Sequence, residues 1–312
     1  MAYDIVTIGP LLCEIMRAEV DKPLDQPAAF IGPFASGDSA IMINAAAKLG
    51  SACAMIGVVG DDPFGRCITE HLSESGVDCS MVRADTNSST GVAFVSYSSD
   101  HSRNFLFHVD DAASGKITAA DLDWVNLRDS RWIHVSGFTL SVNKTTADAV
   151  YKLLALTPES RVSFDPNLRS ETMSAREIVS MCRPVLERAS VIFPSKTEAA
   201  LLTGSQSDDV GCRQWASEGK LVVLKNGEDG CRIYSEDAVY DVPSYHVEEV
   251  DSTGAGDNFC GAFMHFLDQG AELIDCARFA NAVGAMSVRK LGPMEGTPSA
   301  AELRAFIDEM EN

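Results

Sequence analysis

The residues with the clearest chemical potential form the segment Asp251-Ser-Thr-Gly-Ala-Gly-Asp257. The apolar stretch that follows it, from Asn258 to Leu267, predicts a helix, so the Gly-Ala-Gly turn would stand at a helix N-terminus. Free backbone N–H groups and the helix dipole make such a position an anion site, and the small residues let a phosphate approach the backbone closely. The Asp257 carboxylate would then be placed to accept the proton of an attacking hydroxyl. The segment therefore points to phosphoryl transfer.

A purely structural interpretation of the same segment stays open, in which Asp257 is only an N-cap and Gly-Ala-Gly only a turn. Two competing phosphate motifs are absent from the sequence. There is no Gly-x-x-x-x-Gly-Lys-[Ser/Thr] loop and no Gly-x-Gly-x-x-Gly dinucleotide fingerprint. P-loop and NAD-linked chemistry therefore both lack their signature.

The elements that would position this turn alternate between strand and helix. This alternation predicts a mostly parallel sheet with helices on both faces, whose ligands bind at the carboxyl ends of the strands. Amphipathic strands near 13–35 and 91–109 are left over and would form a small accessory sheet. We predict strands over 3–9, 52–59, 132–135, 162–164, 191–193 and 221–224, and helices over 39–49, 64–75, 145–156, 175–188, 197–203 and 209–218.

Composition excludes several classes of protein. The chain has 312 residues, with 45 acidic and 25 basic side chains and a formal charge of −20, which argues against nucleic acid or an anionic membrane as a partner. No apolar run approaches the ~20 residues of a membrane helix, and the N-terminus lacks a secretory signal. The nine cysteines are dispersed without a Cys-x-x-Cys pair, so we expect buried thiols in a cytoplasmic protein.

The segment Asp251–Asp257 with its apolar helix resembles the second signature of the ribokinase-like (PfkB) carbohydrate kinase family. The segment Phe164–Arg169 resembles the Asp-x-Asn-x-Arg motif of the family's fructokinase and ketogluconate kinase branches. The motifs of the chain also resemble those of the tagatose kinase branch. The resemblance covers residues 5 to about 305 and implies a three-layer ribokinase-like fold. Three more segments match in the family's order, namely Gly57–Gly65, Lys225–Gly230 and Leu291–Pro298.

This resemblance implies ATP and Mg²⁺ as cofactors and Asp257 as the general base. The backbone N–H groups of Gly254, Ala255 and Gly256 would stabilise the charge on the transferring phosphoryl group. The family holds its metal through water with an Asn-x-x-Glu motif. Here Ser195 replaces the Asn and Glu198 is kept, so we carry the metal role over to Glu198. A helix N-terminal acid is the competing interpretation of Glu198.

The same resemblance assigns an ATP site. Lys225 would line it, although a solvated lysine at a strand end is the alternative. Asn281 would face the adenine, or else lie on the surface of its helix, and Asn167 would reach the phosphates or serve only as a turn former after Pro166. The full predicted set is Asn167, Ser195, Lys225, Gly227, Gly230, Gly254, Gly256 and Asn281.

The predicted sugar site departs from the family pattern at two positions. Ser36-Gly37 stands where relatives have Gly-Gly, and Ile41 stands where they have Asn. Asp38 would accept hydrogen bonds from sugar hydroxyls, with a solvated loop charge or a helix cap as its alternatives. Arg169 could grip a carboxylate or a ketose oxygen, or pair with Asp165. The full predicted set is Glu14, Gly37, Asp38, Arg103, Phe107, Arg169 and Asp257, with a solvated turn charge as the alternative for Arg103.

The predicted function is therefore an ATP-dependent kinase of a ketohexose or a keto-sugar acid. A catalytically silent sugar- or nucleotide-binding relative is the alternative and, within the family, a nucleoside or aldose kinase. We predict one kinase domain over 1–312 with lid strands inserted at about 10–38 and 89–112, which close over the sugar and exclude water. Such a sheet can also pair between subunits, which predicts a homodimer through the lid. The residues leave open whether a monovalent cation is required.

Overall fold

The computed structural model describes residues 2–100, 102–168 and 173–310. Its strands are β1 Ile5–Ile8, β2 Leu12–Arg17, β3 Phe30–Ser36, β4 Cys53–Gly60, β5 Val77–Asp78, β6 Val82–Asp85, β7 Gly91–Tyr97, β8 Arg103–His108, β9 Trp132–Ser136, β10 Arg161–Asp165, β11 Ala189–Ile192, β12 Leu221–Lys225, β13 Cys231–Tyr234 and β14 Val239–Val242. Its α-helices are α1 Asp38–Leu49, α2 Pro63–Glu74, α3 Trp124–Leu127, α4 Gly137–Val142, α5 Lys144–Leu156, α6 Ala175–Arg188, α7 Glu198–Thr203, α8 Asp208–Ser217, α9 Ala255–Asp268, α10 Leu273–Ser287 and α11 Ala300–Met310.

The central sheet has the strand order β14-β13-β12-β11-β10-β9-β1-β4-β5, with β6 also paired to β4. Pairing is parallel from β12 to β5 and antiparallel only at the β12–β13 and β13–β14 edge. Parallel strands need crossover helices, and these cover both faces of the sheet. The predicted three-layer α/β fold is confirmed.

Strand residues alternate between the two helical layers because successive side chains of a strand point to opposite faces. In β1, Ile5 packs in the cluster with α1, α9 and α10, whereas Val6 packs in the cluster with α5, α6 and α8. Trp132 and Ile133 of β9 divide in the same way. The core therefore lies on both sides of the sheet, which leaves the ends of the strands to carry a site.

A second sheet has the order β3-β2-β7-β8 and stands apart from the first. We call these four strands the lid. They fall inside the ranges 10–38 and 89–112 expected from the sequence, while the assignment of one domain to 1–312 stays a prediction. In β8, Phe107 pairs with Ala93 and Leu106 with Phe94, so neighbouring residues face opposite sides of the lid.

The edge strands β13 and β14 were not expected from the sequence. Each has four residues, and β14 is exposed at three of them, so neither shows a continuous apolar run. The nine cysteines are all free, as expected. Across the described ranges, no helix combines the length and the apolar character that crossing a bilayer would need.

Candidate active site

The Gly-Ala-Gly turn stands at the start of α9, as the sequence predicts. Gly254 is the N-cap residue with a φ of 75°, a left-handed conformation that suits glycine. A Cβ on Gly254 would lie 2.9 Å from the Pro293 carbonyl oxygen and 3.1 Å from Ile41, so the turn is also sterically reserved for glycine. Asp257 is the third residue of the helix. The N-cap interpretation of Asp257 is therefore wrong.

Two cavities meet at this turn. The smaller has a volume of about 250 Å³ and the larger about 330 Å³. Both are lined by Lys225, Ser252, Ala255 and Gly256, whereas Asp257 lines only the larger cavity. A group passing between the two cavities would pass over the backbone at the start of α9.

The smaller cavity is lined by five of the residues predicted for ATP, namely Lys225, Gly227, Gly230, Gly256 and Asn281. Asn281 is 4% exposed, and its Nδ2 donates to the carbonyl oxygens of Val242 and Pro243, each at 3.1 Å. The interpretation of Asn281 as a surface residue of its helix is therefore wrong. Because both donors of the amide are used, Asn281 holds the cavity wall at β14.

The remaining residues predicted for ATP lie elsewhere. Asn167, Ser195 and Gly254 line the larger cavity. Asn167 has a φ of 37°, as a turn former would, and its Nδ2 donates to Asp38 Oδ2 at 2.9 Å. The amide of Asn167 is therefore directed at the predicted sugar site.

The larger cavity is built from both sheets. From the lid, Ser36 Oγ donates to Glu14 Oε1 at 2.6 Å, with both side chains buried. Ser36, which stands where relatives have glycine, thus fixes the orientation of the predicted Glu14. Gly37 follows directly and is the N-cap of α1.

Asp38 is the first residue of α1 and is 8% exposed. Its Oδ1 accepts the Ser39 N–H at 2.7 Å, and its Oδ2 accepts from Ser136 Oγ and Asn167 Nδ2. Because Gly37 occupies the N-cap position, the helix-cap interpretation of Asp38 is wrong, and burial rules out a solvated charge. Asp38 instead joins the ends of β9 and β10 to α1.

Aromatic rings from the lid form another wall of the larger cavity. Phe107 stacks on Phe105 at 5.4 Å between ring centroids and packs against Phe138 at 5.6 Å. Arg103 also lines this cavity, and its Nη1 donates to Thr253 Oγ1 at 3.1 Å. The arginine thus reaches from the lid to the start of the glycine turn while it remains exposed to solvent.

Lys225 is not the solvated lysine of the alternative interpretation. Its Nζ donates to Asp165 Oδ2 at 2.5 Å, and the side chains of the two residues are 12% and 3% exposed. Burial disfavours the ammonium, but attraction by Asp165 outweighs it and raises the pKa of Lys225. Arg169, which the sequence offered as a partner of Asp165, lies outside the described residues.

Glu198 begins α7 and is 8% exposed. Its two oxygens accept the backbone N–H groups of Leu168 and Ser195, each at 2.7 Å. Burial, together with the nearby Asp165 carboxylate, raises the pKa of Glu198. Ser195 contributes its backbone here, so replacing the family's Asn does not cost Glu198 this contact.

A magnesium ion fits this donor set only in a water-mediated form. Over residues 2–100, 102–168 and 173–310, no three His, Cys, Asp or Glu side chains are grouped to hold a metal. Magnesium usually keeps several waters and is held by one or two carboxylates plus substrate phosphates. The Glu198 carboxylate, which lines the larger cavity, suits that mode of binding.

Several residues of the site were not predicted from the sequence to line it, although Asp165 was named there as a possible partner of Arg169. Ser136 and Asp165 end β9 and β10, and Phe138 follows in α4. The rule that ligands bind at the carboxyl ends of parallel strands could have found Ser136 and Asp165. Nothing in the local sequence marks Phe105 or Phe138, because their role depends on the packing of the lid on the central body.

Comparisons with known proteins agree with this architecture. The chain is similar to Fructokinase-1 of Zea mays, with 30% identity over 316 residues that cover 98% of each chain. A putative Ribokinase II from E. coli, solved in complex with ATP and Mg²⁺, superposes with a TM-score of 0.94 at 36% identity over 99% of this chain and 100% of that one. A fructokinase from Vibrio cholerae O395, solved with fructose, ADP and calcium ion, gives a TM-score of 0.83 at 27% identity over 97% and 99%.

The pfkB family carbohydrate kinase model matches residues 17–300. This match spans most of the chain, including the lid strands β3, β7 and β8, the glycine turn and the whole lining of the smaller cavity. The resemblance inferred from the five sequence motifs is thus confirmed, and with it the prediction of an enzyme that phosphorylates a sugar hydroxyl. The chain belongs to the pfkB family of carbohydrate kinases.

Proposed function

We propose that this kinase transfers the γ-phosphoryl group of ATP to a hydroxyl of a neutral ketohexose, with fructose as the first candidate. The observation that carries the proposal is the meeting of the two cavities at the glycine turn. ATP would occupy the smaller cavity and the sugar the larger one. The γ-phosphoryl group would then lie over Ala255 and Gly256, which line both.

Asp257 acts as the general base in this proposal. Asp257 lines the sugar cavity and lies within one helical turn of the Ala255 and Gly256 backbone, which would face the phosphoryl group. Its carboxylate accepts the proton of the attacking hydroxyl, and the N–H groups at the start of α9 stabilise the negative charge of the transferring group. Magnesium bound with ATP supplies neutralisation of the phosphate oxygens. Glu198 holds that ion's water shell.

The charge of the larger cavity favours a neutral sugar over a sugar acid. Carboxylates accept hydrogen bonds from sugar hydroxyls, whereas they would repel a substrate carboxylate in the same closed space. Of the two described cations at this cavity, Lys225 is already paired with Asp165. The described acidic side chains that line it are Glu14, Asp38, Asp165, Glu198 and Asp257.

The lid would supply selectivity for a sugar ring. The Phe105 and Phe107 rings offer apolar faces on which the C–H groups of a sugar can pack, while Asp38 and Glu14 receive its hydroxyls. The similarity to the maize and Vibrio fructokinases supports the same substrate class.

The test is ATP consumption by the purified chain with single sugars in the presence of Mg²⁺. The panel contains fructose, tagatose, ribose, glucose, 2-keto-3-deoxygluconate and adenosine. We expect the highest kcat/KM with a neutral ketohexose. A higher value with 2-keto-3-deoxygluconate would replace the neutral class by the acidic one, and turnover of none would contradict the proposal.

The homodimer remains part of the proposal. Phe30 and Leu106 of the lid are 41% and 47% exposed, and both lie beside Phe94 on the face of the lid opposite to Phe107. Together they form an apolar patch on that face. We propose that the lids of two copies pair over this surface. Light scattering of the eluting protein should give twice the chain mass, and a Leu106→Asp variant should give a monomer.

A further inference from the structure

The strongest unassigned feature is a buried cluster of three side chains beneath the glycine turn. Asp165 at the end of β10 accepts from Lys225 Nζ at 2.5 Å and from Cys260 Sγ at 3.3 Å. Lys225 Nζ also lies 3.8 Å from Cys260 Sγ, so the three polar ends touch one another. Cys260 follows Asp257 by three residues and therefore lies on the same face of α9, about one helical turn further along.

Such a cluster is not explained by stability. Burying two charges costs desolvation that their attraction often only offsets, so apolar residues of the same size would serve the fold equally well. The thiol of Cys260 is fully buried, and burial keeps its pKa well above the usual range, so it remains a neutral donor. The cluster is therefore a fixed arrangement of one ammonium, one carboxylate and one thiol.

Its location indicates a role in the reaction. Lys225 lines both cavities, and a Cβ built on Gly256 would lie 3.5 Å from Lys225 Nζ. The ammonium is thus beside the backbone that would face the phosphoryl group in transit. A flexible lysine would lose this position, because its side chain has four rotatable bonds and a compact, strongly hydrated charge.

We propose that Asp165, assisted by Cys260, is a positioning residue that holds the Lys225 ammonium at the junction of the two cavities. There the ammonium neutralises the phosphoryl group as it passes from ATP to the sugar. This inference rests on the proposed function, in which the phosphoryl group crosses that junction. Asp165 acts through Lys225, because its Oδ2 already accepts from Lys225 Nζ and Cys260 Sγ.

The test is a double-mutant cycle on kcat with Asp165→Asn, Lys225→Met and the double variant. Each single change should lower kcat by about 10²-fold, as loss of one donor to a transition-state oxyanion does. Because Asp165 acts through Lys225, the double variant should be no slower than Lys225→Met alone. The sugar KM of Asp165→Asn should change less than threefold. The inference would be overturned by a loss of kcat in the double variant equal to the product of the two single losses. A raised sugar KM with unchanged kcat in Asp165→Asn would also overturn it.

The double variant also covers the case in which Asp165→Asn fails to fold, since it leaves no buried unpaired charge. If the folded double variant keeps the turnover of the unmodified chain, the inference is wrong. Asp148→Asn is the matched control, because it breaks the exposed Lys144–Asp148 pair and should leave kcat unchanged.

The two proposals fail in different ways. A chain that phosphorylates no sugar in the panel counts against the proposed function alone. The same cycle is then measured on the dissociation constants of ATP and ADP. Here Asp165→Asn and Lys225→Met should each weaken the binding of ATP more than the binding of ADP. The effects of the two changes should again not add in the double variant. Equal weakening of both nucleotides would overturn the inference.

Discussion

The two cavities are encoded by the chain in different ways. All residues that line the smaller cavity lie between Lys225 and Val288, in one continuous fifth of the sequence. Those of the larger cavity extend from Leu12 to Asp257 and come from the lid, from the ends of parallel strands and from α9. The proposed nucleotide site is therefore a local structure, whereas the proposed sugar site is assembled by the packing of two sheets.

This difference has a functional consequence. Substitutions of residues that line only the larger cavity should alter sugar kinetics and leave ATP binding almost unaffected, except at Asp165 and Glu198, which act through Lys225 and through the magnesium ion. Substitutions of residues that line only the smaller cavity should do the reverse, and residues that line both cavities should affect both substrates. The variants below test this separation, beginning with the largest expected effect.

Asp257→Asn should lower kcat by about 10³-fold, because it removes the proposed base and keeps the shape of the side chain. The dissociation constant of ATP, measured by calorimetry, should stay within twofold of the unmodified chain. Turnover near that of the unmodified chain would remove Asp257 from the mechanism.

Asp38→Asn should lower kcat/KM for the sugar by about ten- to hundredfold. An amide cannot accept hydrogen bonds at both ends, so the donors at Ser136 Oγ, Asn167 Nδ2 and the sugar compete, at a cost of roughly 1–3 kcal/mol. The KM for ATP should stay within twofold. Steady-state kinetics with each substrate varied in turn give both constants, and a matched rise in both would break the separation of the two cavities.

Asn281→Leu tests the smaller cavity, the proposed site of ATP. Leucine has a similar size but leaves the carbonyl oxygens of Val242 and Pro243 without their donor, at about 1 kcal/mol for each lost hydrogen bond. We expect the KM for ATP to rise about tenfold with the sugar KM unchanged. Asn126→Ala, on an exposed short helix, is the control and should change neither constant.

Phe107→Ala has the smallest expected effect. Removal of one ring from the stack should raise the sugar KM by about three- to tenfold, as the worth of an aromatic pair suggests. Phe94→Ala is a matched control on the opposite face of the lid, where Phe94 packs against Phe30 rather than the cavity. If both variants raise the sugar KM equally, the effect belongs to lid stability and the inner face has no special role.

Part of this outcome could be predicted from short segments. The helix after Gly254 and the anion-binding turn follow from glycines, an apolar run and helix-end chemistry that act over a few residues. The roles of Lys225 and Asp38 could not be settled in that way. Their alternatives, a solvated lysine and a helix cap, are equally consistent with the local sequence, and partners 60 and 98 residues away decide between them.

The sequence by itself therefore determined the fold class through the periodicity of its strands and helices, and the turn at 254–256 through contacts between near neighbours. It indicated the family through the resemblance of five segments to known kinases. The tertiary structure alone decided which charges are buried, which carboxylates face one another and which rings close the larger cavity. The physical reason is that burial and electrostatic pairing depend on distance in space. Asp165 shows this most clearly, since only the folding of β10 beside β11, and of β11 beside β12, brings it within reach of Lys225.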